Sequence, residues 1–124
     1  LIRYSRAGHC PVLYYQAATG KAVYLKDKGT ALGMVRNLDY CKLLETNEIG
    51  YKTGDIMVLY TDGITEAKNP RGEEFDFHRL AEALEEVPEK SSAEIEKHII
   101  QRLHEFTESL EINDDYTSMT IKFR

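Results

Sequence analysis

The segment of residues 54–67 constrains the fold of this chain more than any other. Residues 56–60 carry no charge, are rich in β-forming side chains and follow a Gly-Asp turn, which predicts a buried strand. The strand ends before Asp62-Gly63, so a carboxylate is expected at the rim of a sheet. Such a carboxylate, followed by a Gly that leaves room for a turn or a bound group, can present an oxygen ligand to a hard divalent cation. The alternative is that Asp62 only caps a helix or a turn.

The amino-terminal half of the chain has β character. A β-hairpin is predicted because two stretches rich in Val, Leu and Tyr flank the short turn at residues 17–20. The strands predicted before the central one cover residues 2–5, 12–16, 21–26 and 40–47. Gly29 and Gly33 mark an irregular loop between the hairpin and the last of these strands.

Two amphipathic helices are predicted after residue 67. The first carries an apolar stripe at helical period, has Asp76 as its N-cap and stops at Pro88. The second opens with Ser91 and Glu94 at the spacing of a capping box. The first stripe contains Phe77, Leu80, Ala81, Leu84 and Val87, and the second contains Ile95, Ile99, Leu103, Phe106 and Leu110. Both helices are expected to pack on a face of the sheet.

A final strand is predicted at residues 116–123, where Thr117, Met119, Ile121 and Phe123 alternate with more polar neighbours and predict one buried face. Asp114 and Asp115 precede this strand. An acidic pair in this position can be a solvated turn. If the final and central strands lie side by side with their acids at one rim, however, mutual repulsion of the carboxylates favours a bound cation.

Composition narrows the class of protein. The 124 residues suit one domain, and 42% hydrophobic with 30% charged residues suit a soluble globular chain. The net charge is −5 and there is no basic cluster, so nucleic acid is not an expected partner. The sequence has no apolar run long enough to span a membrane, so a cytoplasmic location is expected. The spacing of Cys10 and Cys41 is not that of a metal site, and both are expected to be buried, reduced thiols.

Several segments, in order, resemble the metal-dependent protein serine/threonine phosphatases, specifically the bacterial SpoIIE/RsbU branch. The resemblance runs over nearly the whole chain and rests on five motifs, of which each alone is weak. They are Ala-Gly-His-Cys-Pro at 7–11, Ala-Leu-Gly-Met at 31–34, Tyr-Thr-Asp-Gly-Ile-Thr-Glu-Ala at 60–67, Gly-Glu-Glu-Phe at 72–75 with Arg-Leu at 79–80, and Asp-Asp-Tyr-Thr at 114–117.

The resemblance implies an α+β fold, an antiparallel β-sandwich with flanking helices and a binuclear Mn²⁺ or Mg²⁺ centre at one end. It assigns Asp62 and Asp114 as metal ligands, with Asp115 as the alternative if the register is off by one. Asp76 stands where this family commonly has Gly. Two acidic elements of the family's amino-terminal half, including the bridging ligand, have no counterpart here. The chain is therefore expected to be the carboxy-terminal portion of the domain, at residues 1–124.

The function that the resemblance implies is metal-dependent dephosphorylation of a phosphorylated regulatory protein, as in partner-switching systems with anti-sigma-factor antagonists. We expect this segment to be inactive, or nearly so, without the missing ligands. A non-catalytic regulatory or binding module on the same fold is the alternative. A partial domain would also leave strand edges and a sheet face uncovered, which predicts a homo-oligomer.

Overall fold

The computed structural model describes residues 1–26, 28–35, 39–108 and 115–124, and it contains two antiparallel sheets with helices packed on the larger one. The strands are β1 (Ile2–Tyr4), β2 (Val12–Gln16), β3 (Lys21–Leu25), β4 (Asn47–Ile49), β5 (Ile56–Tyr60) and β6 (Ser118–Lys122). The helices are α1 (Asp39–Leu43), α2 (Asp62–Thr65), α3 (Asp76–Glu85) and α4 (Ser92–Thr107). The predicted α+β class with antiparallel sheets is confirmed.

The larger sheet has the strand order β3-β2-β5-β6, and β5 lies in its interior. The predicted hairpin is confirmed, since β2 pairs with β3 from Val12 opposite Leu25 to Gln16 opposite Lys21. The predicted central strand is also confirmed, with Ile56 and Val58 fully buried. The smaller sheet consists of β1 and β4.

One face of the larger sheet packs against α3 and α4. Register places Leu13 beside Val58, so that these side chains point to the same side of the sheet. Fully buried residues from both helices meet them there and form a single core. That core includes Leu13, Ile56, Val58, Tyr60, Leu80, Leu84, Ile95, Ile99 and Leu103.

The opposite face of the larger sheet is apolar but only partly covered. Two apolar side chains of β6, Met119 and Ile121, lie on it and are 59% and 38% exposed. Val23 of β3, on the same face, is 39% exposed. Strand β1 contributes to one cavity of about 340 Å³ on this side, with Tyr4 among its lining residues together with Met57. We call the exposed residues Val23, Met119 and Ile121 the open face.

The structure corrects the prediction for the final strand. The alternation is present, but the half-buried side chains are Ser118, Thr120 and Lys122, while Met119 and Ile121 lie on the exposed side. The helix side of β6 therefore carries polar groups, and the Lys122 ammonium group donates to the Pro88 carbonyl in the α3–α4 connection. The apolar side of this strand suits a second layer that residues of the described chain do not supply.

The strand predicted at residues 40–47 is wrong. The chain forms α1 there, and a strand follows only at Asn47–Ile49, where Ile49 pairs with Ile2. A short run such as this fits a single helical turn as well as a strand, and sequence periodicity alone does not separate the two. As a result Cys41 is exposed on α1, while Cys10 is half-buried, so the prediction of two buried thiols is also wrong; both cysteines are free.

The two predicted helices on the sheet are confirmed, with changes in detail. Helix α4 begins with the predicted capping box: the Glu94 backbone N–H donates to the Ser91 hydroxyl, and the Ser91 N–H donates to the Glu94 carboxylate. Ile95, Ile99 and Leu103 are buried as predicted, while Leu110 lies outside the described residues.

Asp76 is the first residue of α3 and not its N-cap, a position that Phe75 occupies. Its φ of 63° is in the left-handed region, which Gly adopts with less strain than any other residue. The Asp76 carboxylate accepts a hydrogen bond from the Phe77 backbone N–H, a local contact that helps Asp to adopt this conformation. The predicted stripe also shifts, since Phe77 is 41% exposed and Ala83 is buried instead.

Within the described ranges, none of the helices has the length and apolar character needed to cross a lipid bilayer.

Candidate metal centre

Strands β5 and β6 bring the Asp62 segment and the carboxy-terminal acidic segment to one rim of the larger sheet. The two strands are antiparallel, with Tyr60 at the end of β5 opposite Ser118 at the start of β6. Residues that follow β5 must therefore lie beside residues that precede β6. This is the juxtaposition on which a shared cation site depends.

Backbone and side-chain hydrogen bonds extend the pairing beyond the strands. The Thr61 backbone N–H donates to the Thr117 carbonyl at 3.0 Å. In return the Thr117 N–H donates to the Thr61 hydroxyl at 2.9 Å. The chain then turns into α2, where the Ile64 N–H donates to the Thr61 carbonyl. Ile64 is fully buried and anchors this turn in the core.

Gly63 lies against the backbone of the carboxy-terminal segment. Its own surroundings are buried, and a Cβ atom added there would lie 2.5 Å from the Asp115 carbonyl oxygen. Any side chain at this position would displace the backbone of Asp115. The carboxy-terminal segment therefore occupies the space that a side chain at residue 63 would need. Gly63 itself lies within α2 and does not form a sharp turn.

The carboxylates expected as ligands are placed as follows. Asp62 is exposed and lies in the first turn of α2, where Thr61 and not Asp62 occupies the N-cap position. Asp115 is exposed and its backbone lies against Gly63. Asp114 lies outside the described residues.

Cys10 also lies near this rim, which sequence reasoning did not anticipate. Burial raises the pKa of the Cys10 thiol, and the negative charges of Asp62 and Glu66 raise it further. At neutral pH this cysteine is therefore a protonated thiol, and it has neither the charge nor the hardness of a ligand for Mg²⁺ or Mn²⁺. The signal for its location was its place in the Ala-Gly-His-Cys-Pro motif.

The donor set fits a hard cation in type but not in number. In the part of the chain that the structure describes, no three His, Cys, Asp or Glu side chains converge on a common point. Mg²⁺ is commonly bound through one or two carboxylates and keeps several waters, so the exposed carboxylates of Asp62 and Asp115 are of the chemical type that such an ion takes as ligands. Two ions would need carboxylates from outside this chain segment.

Comparison with known proteins shows the family to which the chain belongs. The family described as Stage II sporulation protein E (SpoIIE) matches residues 1–124, the whole chain. The chain belongs to the SpoIIE family. A curated relative, phosphoserine phosphatase RsbU of Bacillus subtilis strain 168, is 31% identical over 121 residues. That match covers 96% of this chain but 34% of RsbU, so this SpoIIE-family chain spans about a third of the relative's length.

Solved structures give the same fold. The PP2C phosphatase domain of SpoIIE from Bacillus subtilis, solved with a fragment of its regulatory domain, matches 98% of this chain with a TM-score of 0.75 at 18% identity. The RsbU and RsbW domains of a Mycobacterium tuberculosis protein match 98% of it with a TM-score of 0.73 at 23% identity. This chain covers 33% of each of those chains, as expected for part of a SpoIIE-type phosphatase fold.

Proposed function

We propose that residues 1–124 are the carboxy-terminal portion of a SpoIIE/RsbU-type phosphatase domain, and that the protein containing them removes phosphate from serine or threonine of a phosphorylated regulatory protein. The observation that carries this proposal is the meeting of the Asp62 turn and the Asp115 backbone at one rim of the sheet. Family membership and the relationship to a phosphoserine phosphatase support the reaction class. A regulatory protein of the anti-sigma-factor antagonist type, in the cytoplasm, is the proposed substrate.

The proposed metal ligands in this segment are Asp62 and Asp114, with Asp115 as the alternative to Asp114. Their charge and their oxygen donors suit Mn²⁺ or Mg²⁺, and a pair of such ions in the complete domain would supply an activated water and neutralise charge on the phosphoryl oxygens. The part of this chain is to hold Asp62 rigidly at the end of β5. Buried Tyr60 before it and buried Ile64 after it fix that position.

The segment by itself should be inactive, because two carboxylates do not hold two cations. The test is hydrolysis of a generic phosphate ester with Mn²⁺, by the 124-residue chain and by a version extended toward the amino terminus. We expect activity only in the extended protein, and we expect Asp62→Asn to abolish it. Glu89→Gln is the matched control, because Glu89 is an exposed acid in the α3–α4 connection. Lys122 binds the carbonyls of this connection at the end of β6 that is remote from Asp62. Full activity of the short chain would refute the proposal.

A non-catalytic regulatory or binding module is the second candidate. The same fold can serve as a scaffold for binding without catalysis. The extended protein again decides, because a binding module would bind a phosphorylated regulatory protein without releasing phosphate from it.

We further propose that the 124-residue chain forms a homo-oligomer through the open face. Met119 and Ile121 on β6 and Val23 on β3 lie on the same side of the sheet at its two opposite edges, and each is more than a third exposed. Burial of such apolar surface stabilises an assembly by roughly 25 cal/mol per Å². A clean monomer in light scattering would contradict this.

A further inference from the structure

The Thr61 side chain performs a task that a backbone carbonyl performs elsewhere in the sheet. In an antiparallel ladder every second pair of facing residues exchanges two backbone hydrogen bonds. Thr61 and Thr117 exchange two, but only one is between backbone groups, from the Thr61 N–H to the Thr117 carbonyl. The other runs from the Thr117 N–H to the Thr61 hydroxyl.

The reason is that the Thr61 carbonyl is committed to another partner. It accepts the Ile64 N–H at 3.1 Å in the first turn of α2, so it is turned away from β6. The hydroxyl oxygen on the Thr61 Cβ lets the chain enter α2 directly after β5 while the Thr117 N–H still has an acceptor. A residue without that oxygen would leave the Thr117 N–H without its acceptor in this pair.

Gly63 provides a second, independent constraint at the same place. Its missing side chain lets the Asp115 carbonyl oxygen approach to within 2.5 Å of where a Cβ would stand. Thr61 therefore fixes the pairing of the carboxy-terminal segment along β5, and Gly63 fixes how closely it packs against α2. Both contacts lie within two residues of Asp62 or Asp115.

We propose that Thr61 is a positioning residue, which sets how the segment of Asp115 lies beside Asp62 by accepting the Thr117 N–H. This inference rests on the proposed metal-dependent function. Groups that orient metal ligands through hydrogen bonds typically change metal affinity or activity by roughly 10- to 100-fold when they are removed. Thr61 acts through the backbone of the carboxy-terminal segment and needs no contact with substrate.

The experiment uses the full-length protein, with Mn²⁺ binding measured by electron paramagnetic resonance of free Mn²⁺ at a temperature where every variant is folded. Thr61→Val keeps the shape but removes the acceptor, whereas Thr61→Ser keeps the acceptor. Thr19→Val is the control, since the Thr19 hydroxyl makes only a local hydrogen bond, as donor to the Gln16 carbonyl, and lies in the β2–β3 turn at the opposite end of the sheet. Gly63→Ala tests the packing contact, and Asp62→Asn tests the metal site itself.

We expect Thr61→Val to weaken Mn²⁺ binding about tenfold or more, and Thr61→Ser and Thr19→Val to bind as the unsubstituted protein does. Gly63→Ala should weaken binding as well, because the Asp115 backbone must move. If Asp62→Asn weakens binding but Thr61→Val does not, the positioning role is overturned and the proposed function stands. If Asp62→Asn leaves Mn²⁺ binding unchanged, the proposed metal site falls and the positioning role falls with it.

Discussion

The buried carboxylate of Asp55 makes a sharp test of how β5 is held in place. Asp55 directly precedes β5 and is only 4% exposed. Its carboxylate accepts the Tyr14 hydroxyl at 2.7 Å, the Lys52 N–H at 2.8 Å and the Ala17 N–H at 2.9 Å. These contacts join the central strand to β2 and to the turn before the hairpin's second strand. Removal of the carboxylate should therefore destabilise the whole sheet.

The loss of unfolding free energy depends on whether the three hydrogen-bond donors find another acceptor. Hydrogen bonds to a charged group contribute roughly 1.5–3 kcal/mol each, but truncation also relieves the cost of burying the charge. A cavity of about 250 Å³ is lined by Tyr14 and Asp55, and water there can satisfy part of what is lost. We therefore expect Asp55→Ala to cost about 3 kcal/mol of unfolding free energy. Asp55→Asn keeps one acceptor and should cost about 2 kcal/mol, and Tyr14→Phe about 1 kcal/mol.

The pH dependence of the unfolding free energy tests this reasoning. Burial alone would raise the pKa of Asp55, but the hydrogen bonds from Tyr14 and from the Ala17 and Lys52 backbone outweigh it and lower the pKa below its usual value. A lowered pKa in the folded state stabilises the protein above the unfolded pKa of about 3.9, and this contribution is lost as the pH falls through the folded pKa.

The assay is urea unfolding of the 124-residue chain, with and without Asp55→Asn, between about pH 7 and pH 3. The difference in unfolding free energy should be constant above about pH 5 and should shrink below about pH 4, because residue 55 is protonated there only in the unsubstituted protein, while the other carboxylates titrate in both. A difference that does not change down to pH 3, or an Asp55→Ala cost under about 1 kcal/mol, would refute the reasoning.

Three further predictions concern single features of the fold. Asp76→Gly should be at least as stable as the unsubstituted chain, because the φ of 63° favours Gly. Asp76→Ala should be about 1 kcal/mol less stable, because Ala lacks the carboxylate contact. Equal stability of the two variants in urea unfolding would contradict this. Ser91→Ala should cost about 1 kcal/mol through loss of the capping box, whereas Ser92→Ala, one residue inside α4, should cost less in the same measurement, and similar costs would count against the cap. Met119→Lys combined with Ile121→Lys should convert an oligomer of the 124-residue chain to monomer in light scattering, since both side chains lie on the open face, and an unchanged mass would place the contact elsewhere.

Local signals were sufficient where one element determines its own structure. Ser91 and Glu94 predicted the start of α4 because a capping box needs only residues of one turn. The uncharged run at Ile56–Tyr60 predicted the interior strand because a strand buried on both faces lacks alternation. The rim position of Asp62 followed from the same run.

Predictions failed where the structure of an element depends on which distant segments pack against it or pair with it. In β6 the alternation at Met119 and Ile121 was correct, but the helices cover the polar side of this strand, and no feature of the strand itself says which layer is present. At residues 40–47 a short apolar pattern fits either a helical turn or a strand, and pairing of β4 with β1 decided the outcome. The hydroxyl of Thr61 and the close approach at Gly63 are contacts between distant segments, which periodicity does not report.

The most direct test of the central claim is an anomalous difference map from crystals soaked in Mn²⁺. The claim is that the Asp62 carboxylate and the acidic pair at residues 114–115 share one cation site at the rim formed by β5 and β6. The predicted result is a peak within about 2.0–2.3 Å of an Asp62 oxygen and of an oxygen from Asp114 or Asp115. A map with no peak there, or with Mn²⁺ bound only at another place on the molecule, would contradict the account.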